Sequence, residues 1–152
     1  MIEQQIENRV IEKVTSALSA TGANVQYAGQ LQATEGVKAL ENADSDVFII
    51  AKASPRSYST ATIPTCQIGV TLNVLVRADV DYNGVNYLGV TSKVMDILEN
   101  WQKCYDDTHE DFTLSGEFEC SGYRLDGGNF TLDSTGKTWQ YSHNMTIFGV
   151  VQ

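Results

Sequence analysis

Apolar residues recur at helical spacing in two parts of the chain. Between residues 2 and 18 an apolar side chain returns every three or four positions, which predicts an amphipathic helix. Gly22 follows closely, where a left-handed residue commonly ends a helix. A stripe of the same period from Val90 to Trp101 predicts a second helix, with Thr91 or Ser92 as its N-cap.

The clearest strand pattern lies between these helices. From Cys66 to Arg77, apolar residues occupy every second position, which predicts a strand with one face on a core and the other facing water or a partner. Its length of about 11 residues exceeds the usual five or six. The β-branched run Val47–Ile50 predicts a short central strand, and residues 24–29 predict another.

Polar segments separate these predicted elements. Residues 53–65 contain both prolines of the chain and six serines and threonines, which predicts a long loop, either functional or disordered. Residues 30–46 are ambiguous. Asp79–Asn86 is predicted to turn around Asn83-Gly84. Asp106–Asp111 is predicted to be an acidic, solvated connector.

The C-terminal part has β character throughout. Phe112–Leu125 and Asn129–Leu132 flank a predicted turn at Asp126-Gly127-Gly128, and Trp139–Val151 is predicted as the final strand. An element order with few β-α-β alternations indicates an α+β fold. We expect one domain over residues 1–152, with a mostly antiparallel sheet, two helices on one face and a C-terminal β-hairpin region.

Charge narrows the classes of partner. The 152 residues include 10 Lys and Arg against 19 Asp and Glu, a net charge of −9. This balance disfavours binding to nucleic acid phosphates and to anionic membranes. No apolar run reaches the roughly 18–20 residues that span a bilayer, and the acidic N-terminus is unlike a secretory signal, so we expect a cytosolic origin.

The acidic residues are also unevenly distributed. Between Cys104 and Tyr123 there are six acids and no Lys or Arg. Such a segment is usually a solvated face, and the functional alternative is a surface that repels a polyanion or steers a basic partner.

Motifs for catalysis or metal binding are weak. The sequence Asp79-x-Asp81-x-Asn83-Gly84 matches the first half of a calcium loop, but its twelfth position is Val90 rather than a bidentate Glu, so a turn is favoured. The three cysteines lack metal-binding spacing, and no phosphate-binding, dinucleotide-binding or nucleophile-elbow motif occurs. We therefore expect no enzyme activity, no cofactor and no metal.

The order of segments resembles a family of virion proteins. A helix beginning MIEQQIENRVIEKV is followed by VQYAGQL, VFIIAK, a Ser/Thr/Pro-rich loop, IGVTLNVLVR and the helix VTSKVMDILENW. Over residues 1–101 this layout resembles the small tail-completion and tail-terminator proteins of long-tailed bacteriophages, particularly those of Mu-like prophages.

The resemblance implies an α+β subunit that assembles as a ring, typically a hexamer, on the end of a tail tube. The ring would stop tube polymerisation and present a docking surface for the head. Its partners would be sister copies, the tail-tube protein and a head-completion protein, in the host cytoplasm during assembly and then in the virion tail. The alternatives are another neck connector, a tail-tube subunit, or a small calcium- or ligand-binding α+β module.

Three segments are candidate interaction surfaces. A strand longer than a small domain needs, and a loop without core residues, are features that a subunit can offer to its neighbours by sheet extension. An acidic segment facing a channel would let DNA pass without adhering, which is a hypothesis about the connector. The candidates are Arg56 and Tyr58 in the loop, the outward residues Gln67, Thr71, Asn73 and Arg77 of the long strand, and Asp106, Asp107, Glu110 and Asp111 in the connector.

Overall fold

The computed structural model describes residues 1–23, 25–27, 46–58, 65–79, 81–82, 85–132 and 138–152. These residues form three helices and eight strands, which confirms the predicted α+β class. The helices are α1 (Ile2–Ser19), α2 (Tyr87–Lys103) and α3 (Tyr105–Phe112), and the strands are β1 (Val25–Tyr27), β2 (Val47–Ala53), β3 (Ser57–Tyr58), β4 (Thr65–Arg77), β5 (Asp81–Tyr82), β6 (Val85–Asn86), β7 (Phe118–Leu132) and β8 (Thr138–Val151).

The main sheet has the strand order β1-β2-β4-β8-β7, with β3 beside one end of β4. Only β1 and β2 pair in parallel, and every other neighbouring pair is antiparallel, as predicted. β4 pairs with β8 from Thr65 to Arg77, and its other edge pairs with β2 and β3. The long strand is therefore central, so the hypothesis that its own edge is reserved for sister copies is wrong.

One face of this sheet carries the core. The apolar stripes of α1 and α2 pack there with Phe112 of α3, against the inward residues of β2, β4, β7 and β8. The alternating positions of β4 from Cys66 to Val76 are all buried on this face. Helices on one face are thus confirmed, but there are three rather than two. Each fully buried Leu, Ile or Phe side chain contributes about 1.5–3 kcal/mol to folding.

The opposite face, called the outer face below, is polar only in part. Phe48 and Leu75 are paired across β2 and β4, and together with Ile50 they are buried although they point away from the core. The period-two pattern had placed this whole side of the long strand in water or against a partner. The outer face is therefore apolar and covered at one end, and polar over β8 and the middle of β4.

Several predicted boundaries differ from the observed ones. The first C-terminal strand begins at Phe118 rather than at Phe112, which ends α3, and β2 continues past Ile50 to Ala53. α2 begins at Tyr87, because the side-chain oxygen of Asn86 accepts hydrogen bonds from the N–H groups of Leu88 (3.1 Å) and Gly89 (3.2 Å). Asn86, rather than Thr91 or Ser92, is thus the N-cap. The prediction that Asp106–Asp111 forms a solvated connector is also wrong, since these residues lie within α3.

The predicted turn at Asp126-Gly127-Gly128 is wrong as well. β7 continues through it, and the pairing with β8 shifts by one residue between Leu125 and Gly127, where Gly127 has φ +129°. The hairpin connection instead falls after Leu132.

Part of the predicted long loop is extended backbone. Ser57 and Tyr58 pair with Gln67 and Cys66 of β4, whereas residues 59–64 lie outside the described part of the chain. The ambiguous segment 30–46 also lies outside it, except for Asp46, and so does Asn83-Gly84, at the centre of the predicted turn. Where the chain is described, it has no helix that is long and apolar enough to cross a membrane.

Candidate assembly surface

The outward residues of β4 form one polar surface with β8. The hydroxyl of Thr71 donates a hydrogen bond to the side-chain oxygen of Asn144 (3.0 Å), and the amide of Gln140 donates to that of Asn73 (3.5 Å). Gln67 is exposed on the same side. Three of the four candidates on the long strand are therefore brought together on the outer face, and two of them are tied to β8.

Arg77, the fourth candidate, is held within the subunit. Its guanidinium forms an ion pair with Asp46 at 2.5 Å and a second with Asp79 at 3.5 Å. These ion pairs tie Asp46, which precedes β2, and Asp79, which follows β4, to the last residue of β4. They also make the Arg77 side chain less available to another protein. Asp79 was also the first position of the calcium-loop match, and it faces a cation of the protein itself.

Arg56 and Tyr58 lie at the other end of β4. The Arg56 guanidinium is 3.0 Å from the Glu3 carboxylate, which also accepts a hydrogen bond from the Arg56 backbone N–H at 3.2 Å. Burial alone would raise the pKa of Glu3, but backbone hydrogen bonds and the charge of Arg56 lower it overall. Arg56 thus anchors this segment to α1, whereas Tyr58 (54% exposed) and Met1 (79%) remain open. Met1, Arg56, Ser57 and Tyr58 are called the β3 corner.

The acidic candidates lie on α3, on the helical side of the sheet. Asp106 and Asp107 occupy its first turn, where carboxylates are favoured by the helix dipole, and Asp107 accepts a hydrogen bond from Asn100 (3.0 Å). Glu110 is exposed, whereas Asp111 accepts a hydrogen bond from the indole N–H of Trp101 (2.7 Å). The acidic candidates therefore do not share a surface with those of β4, and Asp111 has a structural role.

The bond to Trp101 gives Asp111 a testable effect on stability. Asp111→Ala should lower the free energy of unfolding by about 1.5 kcal/mol, because a partly buried indole N–H loses a charged acceptor. The ion pair of Asp111 with Lys13 is long (3.7 Å) and its Lys13 side chain is 53% exposed, so it adds little. Urea denaturation measures the change. Glu110→Ala, on the same helix, is the control, and equal losses in the two variants would contradict the assignment.

The edge strand β7 has two unlike halves. In the first half the hydroxyl of Thr113 accepts a hydrogen bond from the N–H of Cys120 (3.1 Å), and the side-chain oxygen of Gln102 accepts from Leu125 (2.8 Å). Both bonds close the side of the strand that faces away from β8. The second half, Gly127–Leu132, has no such bond within the described residues, and we call it the open edge.

An exposed aromatic cluster borders the open edge. Phe130 stacks on Trp139 at 4.4 Å between ring centroids, and Trp139 stacks on Tyr87 at 5.0 Å. Phe130 is 45% exposed, and Leu88, the residue after Tyr87, is 55% exposed. Phe130, Trp139, Tyr87 and Leu88 are called the aromatic corner. It is an apolar surface that the sequence-based candidates did not include.

His143 lies beneath this part of the sheet, facing the core. It is 7% exposed, and its Nε2 has no hydrogen-bond partner among the described residues. The backbone of β7 passes close to it, since a Cβ at Gly128 would lie 2.9 Å from Nδ1 and 2.7 Å from the Ser142 oxygen. Burial lowers the pKa of His143 because it disfavours the charged form.

This buried imidazole predicts a pH effect on stability. Below the unfolded pKa of about 6.5 the unfolded chain binds a proton that the native protein does not, so the free energy of unfolding should fall as the pH decreases from 7 to 5. His143→Gln should show a flatter dependence over this interval in urea denaturation. The lowered pKa values of Glu3, Asp107 and Asp126 act at lower pH. Identical slopes in both proteins would contradict the prediction.

The described residues form no metal-binding site. They contain no group of three or more His, Cys, Asp or Glu side chains placed to hold a metal ion. The three cysteines are free, and burial raises the pKa of the Cys66 and Cys120 thiols. A shallow groove of about 390 Å³ on the outer face is open to solvent and lined by Lys52, Ser54, Thr71, Asp126, Asn144 and Thr146 among others.

Comparison with known proteins gives a similarity of fold. No protein-family model matches the sequence, and no curated protein matches it either. Among solved structures, a chain from the virion of a native gene transfer agent particle superposes with a TM-score of 0.51 at 8% sequence identity. The match covers 91% of this chain and 84% of that one.

Proposed function

We propose that this chain is a structural subunit of a phage-like virion. The observation that carries the proposal is the fold shared with a gene transfer agent virion chain over 91% of the present chain. The segment order that resembles tail terminators supports the same class from the sequence. Within this class we propose a tail terminator, which forms a ring on the end of the tail tube, stops its growth and offers a docking surface to the head.

The two exposed apolar corners support a ring. Tyr58 pairs with Cys66 near one end of β4, whereas Phe130 is aligned through Tyr141 with Val74 near the other end. These positions are separated by roughly 26 Å along the strand, and they lie on opposite sides of β4 and β8. Two different contact surfaces on one subunit are what a head-to-tail ring requires, whereas a two-fold dimer uses a single self-complementary surface.

The charge of the chain suits the same role. With a net charge of −9, a ring of several copies would be strongly acidic, and it would repel DNA rather than retain it. We propose no catalytic activity and no cofactor. The partners we propose are sister copies, a tail-tube protein and a head-completion protein, with assembly in the host cytoplasm.

The experiment is to measure the mass of the purified protein by light scattering and to image it by negative-stain electron microscopy. Closed rings of one size, typically hexamers, would support the terminator assignment. Extended tubes would instead assign the chain to the tail-tube class. A monomer at every concentration and ionic strength would overturn the ring proposal.

A further inference from the structure

We infer that the open edge of β7, Gly127–Leu132, receives the β3 corner of a second copy of this chain. The inference rests on the proposed function, because it assigns the contact that would build the ring. It commits to one occupant, the neighbouring subunit, and to one mode of contact, the addition of an extended segment to a sheet edge.

The backbone of β7 provides the first argument. Hydrogen-bonded and non-bonded pairs alternate along an antiparallel ladder, so every second residue directs its N–H and C=O groups away from the partner strand. In the first half two of these outward N–H groups, those of Cys120 and Leu125, are met by Thr113 and Gln102. No described side chain or strand meets them beyond Asp126. Within the described part of the chain, the open edge thus presents unused donors and acceptors on a strand of regular pairing.

The composition of the open edge is the second argument. Native sheets protect free edges with charges, prolines or bulges. The first half of β7 has two of these protections. It carries the charged residues Glu119, Arg124 and Asp126, and its pairing with β8 shifts register twice. The open edge is Gly-Gly-Asn-Phe-Thr-Leu, which has no charge and no proline. In a chain of charge −9, it is a place where identical copies can approach without like-charge repulsion.

The β3 corner is the matching surface on the next subunit. Ser57 and Tyr58 are both exposed, and in the described part of the chain they pair with β4 alone. Tyr58 and Met1 supply exposed apolar surface to meet Phe130 and Leu88. The two corners lie at opposite ends of the sheet, so each subunit can use both at once, and the contact repeats from copy to copy until the ring closes.

A lysine on the open edge tests this contact. Thr131 is exposed on the outer face, so Thr131→Lys should preserve the fold while its charge blocks strand addition. Ser121→Lys is the matched control, because it places the same lysine side chain at an exposed position in the closed half of the same strand. We expect rings from the unmodified protein and from Ser121→Lys, and monomers from Thr131→Lys. Asn129→Lys repeats the test if circular dichroism shows that Thr131→Lys is unfolded.

A mixing experiment identifies the occupant. Tyr58→Lys should also be monomeric, because its β3 corner is blocked while its open edge is intact. Thr131→Lys retains an intact β3 corner, and Tyr58→Lys retains an intact open edge, so an equal mixture of the two can form one contact per pair. The mixture should therefore form a dimer that grows no further, with twice the mass of either variant alone.

The outcomes separate this inference from the proposed function. If the unmodified protein stays a monomer at every concentration and ionic strength, the ring proposal and this inference are both overturned. If it forms rings and Thr131→Lys or Tyr58→Lys forms them equally well, the assigned contact is wrong and the virion role stands. If Tyr58→Lys alone forms a dimer, β7 pairs with β7 of the second copy, and the β3 corner is not the occupant.

Discussion

Gly149→Ala is expected to destabilise the protein by about 3 kcal/mol, at the upper end of the cost of overpacking. A Cβ at this position would lie 2.3 Å from Cζ of the Phe118 ring and 2.5 Å from the backbone oxygen of Glu119. The ring is fully buried and the oxygen belongs to the paired strand, so neither can yield without moving β7. Urea denaturation measures the loss in the free energy of unfolding.

Gly69→Ala is the matched control for this prediction. Gly69 lies in β4, and a Cβ there would meet only the hydroxyl oxygen of Ser54, at 3.1 Å. The Ser54 hydroxyl is exposed, and it accepts a hydrogen bond from the N–H of Gly69 (3.2 Å) and donates one to the Gly69 oxygen (3.3 Å). Its rotation costs one exposed contact, so the loss should stay at about 1 kcal/mol. Similar losses at the two glycines would show that alanine affects the strands generally, and that the approach of Phe118 to Gly149 has no special cost.

Phe112→Ala is expected to have the larger effect, a loss of about 3–5 kcal/mol, as for other buried aromatic residues. Phe112 ends α3 and is fully buried. Its ring centroid lies 4.7 Å from that of Trp101 and 6.4 Å from that of Tyr123. Truncation would leave a cavity where α2, α3 and β7 meet. The free energy of unfolding in urea, together with near-ultraviolet circular dichroism of the aromatic residues, measures the effect.

The control lies on the same helix. Tyr105 is exposed, and its ring contacts only that of His109 among the described aromatic pairs, at 5.8 Å. Tyr105→Ala should change stability by no more than about 0.5 kcal/mol. A small loss for Phe112→Ala would mean that α3 is not held by its apolar end, and that the acidic segment behaves as the solvated connector that its composition suggested.

The parts of the fold that were predicted correctly depend on long apolar periods. β4 alternates between buried and more exposed residues from Cys66 to Val74, and α1 repeats its apolar residues over most of 18 positions. In both elements the periodic apolar residues are the ones that pack in the core, so the sequence pattern and the tertiary structure agree. A short element contains too few apolar residues to show a period. α3 has eight residues, of which only Thr108 and Phe112 are buried.

The errors come from local signals that distant contacts overrule. Asp126-Gly127-Gly128 has the composition of a turn, but thirteen β8 residues pair with β7, and the extra residue is absorbed as a bulge with Gly127 at positive φ. The start of α2 was missed although Tyr87, three positions before Val90, continues the apolar stripe. Asn86, a favoured N-cap residue two positions after the predicted Asn-Gly turn, was the signal that could have located it.

Only part of the candidate surface was predicted from the sequence. Gln67, Thr71 and Asn73 do share the outer face, because alternation along a strand assigns residues to faces directly. The aromatic corner could not be derived in the same way. It forms because β7 and β8 bring Phe130 beside Trp139, and the start of α2 adds Tyr87, which are relations between distant segments. The uncharged segment Gly127–Leu132, which contains Phe130, was the only local sign of it.

The position of β8 between β4 and β7 has a consequence for the newly made chain. Arg77 pairs with Thr138, about 60 residues further along the sequence. While the ribosome synthesises that interval, the thirteen-residue β4 has no neighbour on one side, and its apolar face lacks part of its cover. Aggregation during translation is therefore most strongly favoured in this interval. Slow translation between the codons for residues 78 and 138 would prolong that exposure, whereas a chaperone that binds extended segments would protect it.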